Sequence, residues 1–290
     1  MAIAAGPMGE LMAGLIGGLT DPLAYDFFRH ALVVGAIIGI LCPVVGCFPL
    51  VLRISLIGDA IAHAVIPGLA IAHVLGIDLS VGAFVSGVGS TAAIAWIQEQ
   101  GRIRADSAMT LMFATFFALG MTLISLWRVP IDLEGFLFGD LLSVQPSDIG
   151  HAAIAAAVLL GAIALHYKEL LFYTFDPIGA EAAGLPVRLL HYGLMAGLTV
   201  AIILALKLVG VVLAVALTIG PALTASLLVR ELHWMMVLGG LFGLLAAILG
   251  LYGSFYLDLP SGAAIALASF GLFMGTLAVE TVARSRFRQS

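Results

Sequence analysis

Residues 31–52 read ALVVGAIIGILCPVVGCFPLVL, an uncharged and largely apolar run closed by Arg53. A bilayer core takes roughly 20 apolar residues per helix, so this run is long enough to cross a membrane. Further runs follow at 54–76, 79–98, 107–127, 149–166, 191–206, 209–229, 235–253 and 260–280. In lipid every backbone N–H and C=O has to be satisfied within the chain, which leaves helices for segments of this length. The expectation is an all-α, polytopic transmembrane helical bundle of about nine spans, with eight to ten as the range.

Composition agrees with that reading. Hydrophobic residues make up 62% of the 290, and charged residues only 10%, whereas a soluble domain carries about 25% charged residues. The mean hydropathy is +1.17. A net charge of −5 offers no basic footprint, so nucleic acid is excluded as a partner; the lipid bilayer is the first partner. Cys42 and Cys47 share one span, about 140° apart on a helix, which disfavours a bridge between them. They read as small apolar fillers, with metal ligation as the lesser alternative.

Residues 1–29 read as a short amphipathic lead-in, because 11–19 are apolar without a basic leader ahead of them. Arg53, 98–104, 127–130, 168–188, Lys207, 230–233 and 258–260 punctuate the spans. Lys and Arg concentrate on the cytoplasmic side of membrane proteins. With the carboxyl end inside, Arg53, Arg102, Arg104, Lys168, Arg188, Arg230, Arg284, Arg286 and Arg288 face the cytosol, leaving Arg29, Arg128 and Lys207 outside. The expected domains are therefore the lead-in, a membrane domain over 30–282, and a basic cytoplasmic tail over 283–290.

Two connections are more than turns. The external stretch 132–148 carries Phe136, Leu137, Phe138, Leu141 and Leu142, so a short helix dipping into the membrane is expected there. The cytoplasmic stretch 168–188 holds a start signal, Asp176-Pro177, and a stop signal, Gly184 followed by Pro186. A two-turn helix over about 176–185, including Ala180 and Ala183, should lie outside the membrane there and offer a docking element.

Asp59 is the one acidic residue within an otherwise apolar span. An ionisable group at such a position costs on the order of 3 kcal/mol on insertion and is by default a functional group. His63 follows one helical turn later, on the same face. Pro67, a further turn on, removes the N–H that would bond the His63 carbonyl. Carboxylate, imidazole and a bare carbonyl are ligand types that manganese, iron(II) and zinc accept. The competing readings are a structural Asp59–His63 hydrogen bond that neutralises the charge, and a proton relay. His73 lies near the same face, close to the outer end of the span, as an interfacial histidine or a ligand on the access route. Two copies of the helix meeting at a twofold axis would double the ligand set, and Gly58, Ala62 and Ala70 are small enough to allow that contact.

The run Gly58-Asp59-Ala60 to His63-Ala64-Val65-Ile66-Pro67-Gly68 resembles the signature of the zinc, manganese and iron ABC permease family. The resemblance extends to Gly139-Asp140-Leu141-Leu142, to Phe175-Asp176-Pro177 through Gly184-Leu185-Pro186, and to Lys207-Leu208-Val209-Gly210 with Thr218-Ile219-Gly220-Pro221-Ala222. It covers about residues 30–280. It implies a membrane-spanning importer subunit of the bacterial inner membrane, acting as a homodimer or heterodimer. Its coupling helix, about Asp176 to Leu185, would sit in a groove of a separate ATP-binding subunit, and an extracytoplasmic metal-binding protein would deliver the ion. It also maps the metal contacts onto Asp59 and His63. Retention of Pro67 favours transported manganese over zinc or iron(II), while Ala62, where many relatives have serine, weakens that preference. No permanently bound cofactor is implied.

The chain carries no Gly-x-x-x-x-Gly-Lys-Ser/Thr loop, and Lys168 and Lys207 are its lysines, so ATP hydrolysis is expected in another polypeptide and this subunit is not read as an enzyme. An intramembrane metalloenzyme would need more ligands and a base than Asp59 and His63 supply. An ion-coupled secondary metal transporter, with Asp59 as proton carrier, would often show inverted repeats, which are not evident. An importer of larger chelates would dispense with paired ligands.

Overall fold

The computed structural model describes residues 20–99, 104–129, 139 and 141–287. Residues 132–138 and Asp140 of the 132–148 stretch therefore fall outside the described residues, as do residues 1–19 and 288–290. Ten α-helices occupy the described chain: α1 Asp26–Val51, α2 Ile57–Leu75, α3 Leu79–Glu99, α4 Ala105–Trp127 and α5 Pro146–Leu165, then the short α6 Tyr167–Phe175 and α7 Pro177–Ala182, then α8 Val187–Leu228, α9 Leu232–Leu257 and α10 Ser261–Phe287. All but α6 and α7 are long and apolar enough to span a membrane, eight helices among the described residues.

One of those eight is two spans in sequence. Helix α8 has 42 residues, which as a straight rod would be about 63 Å long, twice a bilayer core. Its interior is broken at Gly210, with φ 79° and ψ 169°. Its start and the first turn of the next helix, α9, both meet α6. His191, in the second turn, bonds Tyr173, and just past the last turn the His233 backbone lies at the Tyr167 phenol. Six residues of α6 span about 9 Å, so the two arms of α8 fold back on each other at Gly210. The described residues thus cross nine times, in keeping with the nine apolar runs. The reversal falls three residues after Lys207, at a glycine, because a positive φ strains any residue with a Cβ.

Other breaks use the same left-handed geometry. Arg53, Gly76, Arg128 and Asp258 all have positive φ, and Gly76, Arg128 and Asp258 close their helices by accepting that conformation at the C-terminus. The first span starts at Asp26 and not after residue 29, a correction to the expected lead-in. Asp26 sits in the first turn, where the helix dipole favours a carboxylate, and pairs with Arg29 one turn on. The expected basic tail also continues α10 as far as Phe287.

Glycine and alanine let the helices approach closely. A Cβ on Gly39 would collide with the Gly243 backbone, and one on Gly46 with the Thr218 carbonyl, which locks α1 against α9 and α8. Gly68 of α2 and Gly82 of α3 face each other in the same way. Backbone contact of this kind is how membrane helices associate without a hydrophobic drive between them. Cys42 and Cys47 are free and buried among these helices, as filler residues should be.

Gly68→Val is therefore expected to cost about 1–3 kcal/mol or more through overpacking. Gly89→Ala, where an added methyl meets nothing within 4 Å, should be neutral or slightly stabilising, since alanine outranks glycine in helices by about 1 kcal/mol. Melting temperatures of the two variants in detergent provide the comparison.

Candidate metal site

Asp59 and His63 share the first two turns of α2. His63 Nδ1 lies 3.0 Å from the Asp59 carbonyl oxygen and 3.5 Å from its Oδ1. A carbonyl can only accept, so Nδ1 carries the proton and the Nε2 lone pair is left as the potential ligand atom. The Asp59 side chain is 47% exposed and that of His63 17%, which corrects the picture of a sealed buried charge. The pair forms an open edge of the single chain.

The pair lies deep in the membrane domain. Gly58 faces the Ile202 side chain, and Ile202 is 15 residues from the start of α8 and 8 from its turn at Gly210. Ile57 and Ile61, on the opposite side of the turn from the open edge, sit in the same buried cluster as Leu198 and Ile202. Thr91 of α3 and Thr199 of α8 meet at 3.1 Å close by, satisfying hydroxyls that lipid could not.

Helix α4 supplies residues that the sequence did not single out. The Phe113 ring lies edge-on to His63 with centroids 4.7 Å apart, and Phe117 does the same at 5.5 Å. Three residues further on, Gly120 faces Ile66 and the Pro67 nitrogen, where a Cβ would lie 2.7 and 3.0 Å from the nearest atoms. One face of α4 is thus fitted to His63, Ile66 and Pro67. The spacing 113, 117, 120 was legible as a helical stripe, but phenylalanine in an apolar span reads equally as lipid-facing. Ser86 donates to the carbonyl of Ala64, one residue past the carbonyl that Pro67 deprives of its helical partner.

Other expected residues fall elsewhere. His73 is exposed in the last turn of α2, about 15 Å along the helix from His63. Gly58, Ala62 and Ala70 are buried within the chain, which corrects the expectation that they meet a twin helix: small residues serve whichever helix lies nearest, and here that is one of the chain's own. Among the described residues no three His, Cys, Asp or Glu side chains come together, so one chain presents two side-chain ligands and no complete metal shell.

The short helix expected over about 176–185 is present as α7. Asp176 caps α7 by accepting from the Gly179 N–H at 2.9 Å, Pro177 opens the helix, Ala183 follows it, and Gly184 ends it at φ +82°. Ala180 is fully buried, whereas Ala183 is exposed and Ile178 is 82% exposed. Removing the cap by Asp176→Ala should cost about 1 kcal/mol, read as a lower melting temperature of the purified subunit.

The described residues form a multi-pass helical membrane bundle, a fold shared with solved ABC transporter structures. The ABC 3 transport family matches residues 24–280, and the chain belongs to that family. It is 42% identical to the manganese transport system membrane protein MntC of Listeria monocytogenes, over 87% of this chain and 90% of that one. It is 33% identical to a probable iron transport system membrane protein of Haemophilus influenzae, over 91% and 97%. Among solved structures, PsaBC from Streptococcus pneumoniae in complex with Fab is similar at 36% identity and a TM-score of 0.79, over 91% of this chain and 95% of that one.

Proposed function

We propose that this chain is the membrane-spanning subunit of an ATP-driven importer of divalent transition metal ions in the bacterial cytoplasmic membrane, with manganese preferred over iron(II) and zinc. The observation that carries the reading is the Asp59–His63 pair, placed in the depth of the bundle with Nε2 free of the helix. The names of the relatives, which include manganese and iron transport proteins, support the metal class and the lean to manganese. The incomplete ligand set supports a dimer of permease subunits, in which a second copy or a close homologue supplies the remaining ligands. Basic residues at the α7 end support a cytoplasmic side there, and with it the reading that a separate ATPase docks at that end while this subunit is non-enzymatic. An extracytoplasmic metal-binding protein delivers the ion at the opposite face, where His73 lies near its access route.

Removing the subunit from its host and measuring cellular manganese, iron and zinc tests the reading. Manganese accumulation should fall and return on complementation. A fall confined to zinc would remove the manganese preference, and unchanged levels of all three would sink the metal-importer reading.

A further inference from the structure

Helix α7 is held to the membrane domain by little. Behind it lies a cavity of about 700 Å³, lined by Gln98, Tyr173, Pro177, Glu181, Arg188 and His191. Ala180 is its one buried residue. Its chain link to α8 turns at Gly184, where an added Cβ would meet nothing within 4 Å, and is closed by the bond from the Leu185 N–H to the Ala180 carbonyl. At its other end α7 is firmly joined to α6, through the Asp176 cap and the bond from the Ala180 N–H to the Asp176 carbonyl. Helices α6 and α7 therefore move as one piece.

Across the cavity that piece reaches α8 through a polar contact as well as through apolar packing. Tyr173 of α6 is buried, with its hydroxyl 2.6 Å from His191 Nδ1. Burial pushes the Tyr173 phenol up to about 12, so it keeps its proton and can donate. From His191, α8 runs about three turns to Leu198 and Ile202, which share a buried cluster with Ile57 and Ile61, and Ile202 faces Gly58 beside Asp59.

We propose that the Tyr173–His191 hydrogen bond is the strut that carries movement of α7 into α8 and on to the Asp59–His63 pair, which makes Tyr173 and His191 positioning residues for coupling ATP hydrolysis to ion movement. Without it, the α6–α7 piece keeps only its apolar packing beside α8, through Leu170 and the Tyr173 ring, which holds position but not direction. The proposal rests on the reading that an ATPase docks at α7.

The test is the number of ions moved per ATP in vesicles containing the complete transporter. In Tyr173→Phe, which keeps the buried ring and loses only the hydroxyl, the ATPase should stay bound and hydrolysis should stay within about twofold of wild type. Ions moved per ATP should fall about fivefold, the scale of one lost buried hydrogen bond. His191→Leu should behave alike, His191→Gln, which retains an acceptor, should restore most of the ratio, and the double variant should be no worse than the singles. A wild-type ratio in both Tyr173→Phe and His191→Leu overturns the proposal. So does a parallel loss of hydrolysis and transport at constant ratio, which would mark both residues as merely structural. Failure of the functional reading looks different, since wild-type vesicles would then hydrolyse ATP without accumulating metal, and both ideas would go together.

Discussion

Asp59→Ala and His63→Ala are each expected to reduce metal uptake by at least about a hundredfold, the upper range for losing a group that merely supports a ligand, while the protein remains inserted and folded. The separation of function from fold follows from the geometry. The Asp59 side chain is nearly half exposed, and its contact with His63 is a long 3.5 Å, so its loss leaves no cavity and no orphaned partner. His63 loses ring contacts with Phe113 and Phe117, and its alanine variant should show some loss of melting temperature. His63→Gln fills more of that space and should melt closer to wild type while still transporting poorly, because an amide is a weaker ligand than an imidazole for these metals. Uptake of radioactive manganese, set beside melting curves for the same preparations, decides the matter. Either alanine variant transporting at the normal rate would return the pair to the purely structural role of a helix-stabilising hydrogen bond.

Phe113 and Phe117 give a subtler expectation at the same place. They restrain the imidazole from one side while the Asp59 carbonyl fixes it from another, so the Nε2 direction is set by two helices together. Phe113→Ala should weaken transport at limiting metal more than at saturating metal, since it loosens a ligand without removing it. Equal loss at all concentrations would indicate general damage to α4.

What could be read from residues alone follows the strength of the physical constraint. Runs of about 20 apolar residues have one solution in lipid, and every predicted span is present, displaced by a few residues at its ends. The cap Asp176, Pro177 and the stop Gly184 act through local backbone geometry, and that helix fell where its signals placed it. The reversal inside α8 was legible as two runs, yet its position was assigned to Lys207 because charge is a more visible break than a glycine between valines. Gly58, Ala62 and Ala70 failed for another reason. A small residue shows that something approaches closely, but nothing in it says whether the neighbour belongs to the same chain. Phe113 and Phe117 were invisible because their role depends on α4 lying against α2, a long-range fact that no local pattern encodes.

The same distinction between buried and exposed positions sharpens the docking test at α7. Ala180 is fully buried, so a charged residue there would break the subunit and say nothing about a partner. Ile178 and Ala183 are exposed at the basic end, and an isoleucine 82% open to water loses about 1.5–3 kcal/mol that burial in a groove would recover. Ile178→Arg would forfeit that gain and place an unpaired cation in the groove, a penalty of several kcal/mol. The ATPase should then detach, with affinity falling at least about a hundredfold, although the variant subunit melts normally. Ala183→Arg should weaken docking too, by bulk and by charge. Co-purification of the ATPase with each variant, quantified against wild type, is the measurement. Undiminished capture by both would show that α7 is not the docking element, and the strut through Tyr173 and His191 would then have no motion to transmit.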